Sequence, residues 1–254
     1  MSDILTDIDG GVMTITLNRV DKKNSITSAM YASLADALQR AADDSAIRVV
    51  VLLGHETIFC AGNDIGDFLN RPPTTTDLPV HRFLRGIASF PKPIIAAVCG
   101  AAVGVGTTML LHCDLVYAGD NATFSLPFVN LGLCPEAASS LLLPQMLGYH
   151  RAAEVMLFGE PIRADAALAM GLVNRVVPPA EVNALTQTQA RKLATKPMSS
   201  LLEIKRLMKK GLASQVAQQM TDEGVSFSRM LQEPAAKEAF TAFLEKRKAD
   251  FSRV

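Results

Sequence analysis

The alternation of apolar and polar residues changes period several times along the chain, and each change predicts an element. Residues 4–9 and 12–18 alternate on either side of Gly10-Gly11, which predicts a β-hairpin. From Ile26-Thr27-Ser28 to about residue 42 the period lengthens, with Met30, Leu34 and Leu38 on one stripe, and a helix is expected. Residues 48–53 form a short β-branched run, the pattern of a buried strand, and 57–64 are rich in turn formers. Residues 70–78 hold Pro72, Pro73 and three threonines, which predicts a polar, mobile surface loop. The plan then repeats, with a helix over 80–89, a strand over 94–98, a glycine loop, a helix over 106–112 and a strand over 114–118. Beyond residue 136 short helices are expected at 137–147, 151–157 and 164–170, with one more strand at 173–177. From about residue 179 the pattern predicts helix after helix with charged outer faces, punctuated by Pro197, Gly211 and Pro234. Stacked β-β-α turns over 1–178 and a helical region over 179–254, with no long linker, predict one α/β domain with a helical appendage.

Composition narrows the function classes. The 254 residues are 49% hydrophobic and 20% charged, enough to bury a sizeable core and too apolar for disorder. The formal net charge is +0, so no global field draws in nucleic acid or an anionic membrane, and any anion site must be local. The most apolar stretch, 93–105, is too short to span a bilayer and ends in glycines. The opening MSDILTDIDGG is acidic and predicts no leader peptide. The final Ser252-Arg253-Val254 is a near miss to a peroxisomal address, and a cytoplasmic location is expected. Cys60, Cys99, Cys113 and Cys134 have no CxxC spacing and read as buried thiols in a reducing compartment. His55, His81, His112 and His150 lack ligand spacing and read as structural or surface residues, so no metal site is expected.

Two stretches share one design. Phe59-Cys60-Ala61-Gly62-Asn63-Asp64-Ile65 and Gly100-Ala101-Ala102-Val103-Gly104-Val105-Gly106 each follow a strand, and their small residues let backbone N–H groups approach a ligand. The second also opens a helix, whose free amides favour negative charge. Each loop alone is explained by close packing; side by side they would make a two-donor oxyanion pocket. Glu136, the lone acid in LGLCPEAASSLLLP, has two readings. After Pro135 it complements a helix start, or it is a base kept dry beside a substrate. Asp64 reads mainly as the cap of the next helix. The basic run Lys205-Arg206 and Lys209-Lys210 reads as a solvated helix face.

Together with Leu17-Asn18-Arg19, residues 97–114, Phe158-Gly159-Glu160-Pro161-Ile162, Gly171-Leu172-Val173 and Phe243-Leu244-Glu245-Lys246-Arg247, these stretches resemble the crotonase (enoyl-CoA hydratase/isomerase) superfamily over nearly the whole length. The resemblance implies a spiral of β-β-α turns assembled as homotrimers or pairs of trimers, with 179–254 as the trimerisation region. It implies an acyl-CoA thioester as ligand, and no cofactor beyond that coenzyme A. Its carbonyl oxygen would lie on the amides of Asn63 and Val105. Contacts to coenzyme A are implied for Lys22, Lys23, Ala61, Gly62, Asn63, Asp64, Ile65 and Lys246, the last of these within the chain or across a subunit boundary. Hydratases of the family carry two glutamates. At those positions this chain has Thr108 and, after Pro127, Phe128. Residues 122–136 instead resemble the peroxisomal-type Δ3,Δ2-enoyl-CoA isomerases, whose single catalytic glutamate sits where Glu136 sits and whose oxyanion loop also reads Gly-Asn-Asp. The resemblance thus implies an isomerase with Glu136 as its base. Leu126, Phe128, Leu131 and Leu133 are candidates for the apolar walls of such a site, and most of them read first as core residues. The alternatives are hydration or another acyl-CoA reaction, a non-catalytic CoA-binding homologue, and an RNA-binding homologue using 205–210.

Overall fold

The Gly10-Gly11 turn closes the expected hairpin in the computed structural model, which describes residues 2–70 and 78–254. β1 (Ile4–Asp9) pairs antiparallel with β2 (Val12–Leu17), with Asp9 opposite Val12. The loop expected at 70–78 falls, over 71–77, outside the described residues. α1 (Ser28–Asp43) starts at the expected signal. The Thr27 hydroxyl accepts the Met30 N–H at 3.3 Å as an N-cap, and Met30, Leu34 and Leu38 are buried.

Each later turn of chain gives one strand to each of two sheets. β3 (Val49–Leu53) enters the first sheet and β4 (Ile58–Cys60) the second. After α2 (Ile65–Asn70) and α3 (Pro79–Ser89), β5 (Ile94–Val98) and β6 (Ala101–Val103) repeat the move. α4 (Val105–Thr108) leads on to β7 (Leu115–Gly119) and β8 (Thr123–Ser125). α5 (Ser139–Leu147), α6 (Tyr149–Phe158), β9 (Ile162–Arg163), α7 (Ala164–Met170) and β10 (Arg175–Val177) complete the core. The first sheet has the order β1-β2-β3-β5-β7-β10 and is parallel from β2 onward; the second runs β4-β6-β8-β9. Strands β4 and β6 fall where turns and a glycine loop were expected, and β8 where no element was predicted. At three residues each they are too short to show an alternation.

Four helices end the chain: α8 (Pro179–Ala194), α9 (Met198–Lys210), α10 (Ala213–Met230) and α11 (Pro234–Leu244). Val49, Val51, Ile95 and Ala97 pack under Val182, Ala190 and Ala194 of α8, while Val50, Leu52, Ile94 and Ala96 face the main core. Burial on both faces explains why β3 and β5 read as continuous apolar runs. Two expectations for this region are corrected. Lys205 is not on a solvated face. It is buried, and its ammonium donates to Asp114 Oδ2 and the Lys92 carbonyl, each at 2.7 Å. The outer faces are also not simply charged, because Ile204, Leu207, Met208, Val225, Phe243 and Leu244 are exposed. No described helix is long and apolar enough to cross a membrane.

Candidate active site

Glu136 lies in the irregular segment between the 3-10 turn Val129–Leu131 and α5. The helix begins at Ser139, two residues later than expected, with Ala138 as N-cap, so Pro135 and Glu136 stand outside its first turn. The helix-start reading of Glu136 fails on that geometry. The carboxylate turns away from α5 and accepts a hydrogen bond from the Thr108 hydroxyl at Oε1. Oε2 accepts none from the described residues. The turn itself is strained: Ala137 and Ala138 have φ of 61° and 56°, a left-handed backbone that costs a non-glycine residue about 1–2 kcal/mol. His112 Nε2 lies 2.8 Å from the Ala137 carbonyl. Burial pushes the His112 pKa down to about 4, so the neutral ring donates its Nε2–H to that oxygen.

The carboxylate opens onto a cavity of about 1030 Å³. Its walls come chiefly from α3 (Val80, Leu84) and α10 (Val216, Met220, Phe227). Of the two readings of Leu126, Phe128, Leu131 and Leu133, the core one holds. Leu126, Phe128 and Leu133 are buried in the main core and Leu131 packs against it. Among the described lining residues Glu136 is the sole carboxylate. Burial raises its pKa to about 7. The Thr108 hydrogen bond opposes that shift, and the charge of Glu223 adds to it.

The two small-residue loops meet at the end of the second sheet, where β4 and β6 pair in parallel. Gly106 is pressed against the Cys60 carbonyl, 2.7 Å from where a Cβ would stand. Gly62 has φ +90°, with the Val103 carbonyl 3.0 Å from its would-be Cβ. Among the described residues neither the Asn63 N–H nor the Val105 N–H donates within the chain. The helix expected over 106–112 is shorter and divided, α4 passing into a 3-10 turn over Met109–His112. Its dipole is correspondingly small, and what the second loop offers is its unpaired amides.

The loop with Lys22 and Lys23 is stitched to the first of these loops. The Ala61 N–H donates to the Lys23 carbonyl at 3.0 Å, the Ile26 N–H to the Gly62 carbonyl at 2.8 Å, and the Asn24 amide to the Phe59 carbonyl at 3.1 Å. Lys22, Lys23, Ala61, Gly62, Asn63, Asp64 and Ile65 therefore form one neighbourhood. Asp64 caps α2, accepting the Asp67 N–H at 3.0 Å, and pairs with Arg19 at 2.8 Å; these contacts hold its carboxyl below the usual range. Lys246 follows α11, is exposed, and does not line the cavity. Cys60 and Cys99 are buried free thiols, and Cys113 and Cys134 are half-buried ones.

Two site residues escaped the sequence. Tyr31 of α1 lines the cavity, and its hydroxyl donates to Asn63 Oδ1 at 2.6 Å. Burial, with the nearby Glu136, raises its pKa well above the ordinary value, so it stays a neutral donor. Glu223 of α10 accepts the Ala138 and Ser140 N–H groups at 2.6 and 3.0 Å. The spacing of Val216, Met220 and Phe227 marks an apolar face of α10, but nothing in the sequence says that this face meets Glu136.

Residues 7–253 match the family model described as enoyl-CoA hydratase/isomerase. The chain belongs to the enoyl-CoA hydratase/isomerase family. The crotonase-like spiral of β-β-α turns is the fold of its solved relatives. The structure of an enoyl-CoA hydratase/isomerase from Pseudoalteromonas atlantica T6c superposes with a TM-score of 0.95 at 41% identity, over 99% of this chain and 100% of that one. The 1,2-epoxyphenylacetyl-CoA isomerase of Escherichia coli (strain K12) is 36% identical over 261 aligned positions, covering 99% of both chains. Enoyl-CoA delta isomerase 2 of Rattus norvegicus is 37% identical over 213 positions, covering 82% of this chain and 54% of that protein. The chain thus spans about half the length of the rat protein.

Proposed function

We propose that this family member is a Δ3,Δ2-enoyl-CoA isomerase, moving a 3-enoyl-CoA double bond to give the 2-trans-enoyl-CoA. The observation that carries the reading is a single carboxylate, Glu136, facing a large, mostly apolar cavity, with Thr108 and Phe128 where a hydratase would have its two acids. The shift needs one group to take a proton from C2 and return one to C4, and a single carboxylate with a pKa near the working pH does both. Thr108 holds Oε1 and leaves Oε2 for the travelling proton. The apolar walls keep that proton from water. Charge develops on the thioester oxygen of the dienolate. The unpaired Asn63 and Val105 amides are the donors for it, each worth roughly 3–4 kcal/mol in a comparable pocket.

Coenzyme A enters as part of the substrate, with no separate cofactor. Lys22, Lys23 and residues 61–65 hold it, and Lys246 reaches it only from a neighbouring subunit. The enzyme works as a homotrimer or hexamer in the cytoplasm, without nucleic acid or membrane partners. The relative that supports the isomerase reading is the enoyl-CoA delta isomerase 2 of Rattus norvegicus. Product analysis tests it. Conversion of 3-enoyl-CoA to 2-enoyl-CoA without accumulation of 3-hydroxyacyl-CoA is expected. Hydration of 2-enoyl-CoA as the main reaction would replace this reading with the hydratase one.

A further inference from the structure

The turn that presents Glu136 is held from outside, by a residue of the C-terminal region. Two left-handed alanines in succession, with no glycine between Gly132 and Gly148, are a conformation the segment would leave if free. The Ala138 N–H and Ser140 N–H at the start of α5 need an acceptor, and the N-cap alanine supplies none. Both point at the Glu223 carboxylate, which also accepts the Ser140 hydroxyl. Glu223 is only 5% exposed, although it comes from a helix more than eighty residues downstream. Gln219, one turn earlier on α10, donates to the Ser140 hydroxyl oxygen at 2.8 Å. His112 fixes the other side of the turn through the Ala137 carbonyl. Thr221, Gly224 and Phe227 of the same helix line the cavity. Wall and brace therefore belong to one element. A mere helix cap is ordinarily supplied by a Ser, Thr or Asp at the cap position itself. Here the cap exists only when α10 is docked.

We propose that Glu223 is a positioning residue for the reaction: it locks residues 136–140 in the conformation that aims Glu136 into the cavity, so that docking of α10 completes the active site. The proposal deepens the isomerase reading and rests on Glu136 being the base. The other titratable or charged groups around Glu136 are Tyr31 of α1, His112, and Lys209, His81 and Arg85 on the cavity walls.

The test compares the full-length wild type with Glu223→Gln. Expected are a kcat reduced 10- to 100-fold at a KM within threefold, and an acid limb of the kcat profile moved to lower pH, because a negative neighbour of Glu136 is gone. Amide exchange at Ala138 and Ser140 should quicken at least tenfold. A folded Glu223→Gln enzyme with wild-type kcat, limb and exchange would overturn the proposal. Should that variant fail to fold, Glu223→Asp keeps the charge but withdraws its oxygens from the amides. It should lose kcat with the limb in place, and wild-type kcat there overturns the proposal equally. A wild type inactive on 3-enoyl-CoA would sink the isomerase reading but leave the brace to be judged by amide exchange alone.

Discussion

Burial gives Glu136 the basicity that the proposed reaction needs, and it also makes the carboxylate a burden on the fold. A pKa raised from 4.5 to about 7 means that the folded chain favours the protonated acid. That stabilising contribution is complete below the unfolded value of 4.5 and is lost as pH rises through about 7, amounting to about 3 kcal/mol. Glu136→Gln should therefore be more stable than the wild type at pH 8, by up to about 3 kcal/mol in urea unfolding, with the difference shrinking toward pH 4.5. A pH-independent difference would mean a well-solvated carboxylate. The base must be ionised to act, so kcat should fall about tenfold per unit below pH 7. In the sequence, Pro135-Glu136 suits a helix start as well as a base, and only the family resemblance tips it. The two-residue displacement of α5 and the Thr108 contact are tertiary facts. Glu223 was illegible for a related reason: among the polar residues of α10 it looks like a surface acid.

At the scale of elements, the first sheet and most helices were legible because their apolar periods are long enough to read. The second sheet was not, since β4, β6 and β8 owe their existence to backbone pairing between loops rather than to a pattern of their own. That sheet nevertheless sets the two small-residue loops side by side. α1 joins the site through the Tyr31 hydroxyl on Asn63, so the Asn63 side chain supports the loop while its N–H stays unpaired, as the proposed oxyanion role needs. Asn63→Ala should cost about 1–3 kcal/mol in thermal unfolding, because a buried hydroxyl loses its acceptor, yet lower kcat less than tenfold. A collapse of kcat at unchanged stability would give the side chain a direct role.

At the scale of the molecule, the C-terminal helices are bound into the core by polar contacts that the sequence did not announce. Lys205 reaches Asp114, Asp114 accepts the Ile94 N–H at 2.7 Å, and Arg48 donates to the Ala194 and Lys196 carbonyls at 2.6 and 2.7 Å. Losing one partner of a buried ion pair typically costs about 3–5 kcal/mol, so Lys205–Asp114 ties α9 to the first sheet, while the more exposed Arg48 contacts add less at the end of α8. With them in place the exposed Ile204, Leu207, Phe243 and Leu244 belong neither to this chain's core nor to the cavity lining. Apolar residues in that number on the surface favour contact with other copies. Sedimentation should find a species three or six times the 27.2 kDa chain, and a monomer at micromolar concentration would contradict that assembly.

The central claim is that one buried carboxylate moves the proton. Its most direct test is turnover of 3-enoyl-CoA to 2-enoyl-CoA by wild type and Glu136→Gln, with folding and CoA-thioester binding checked in both. Robust wild-type turnover is expected, lost by roughly a thousandfold or more in the variant at unchanged thioester binding. A folded Glu136→Gln enzyme that turns over like the wild type would contradict it.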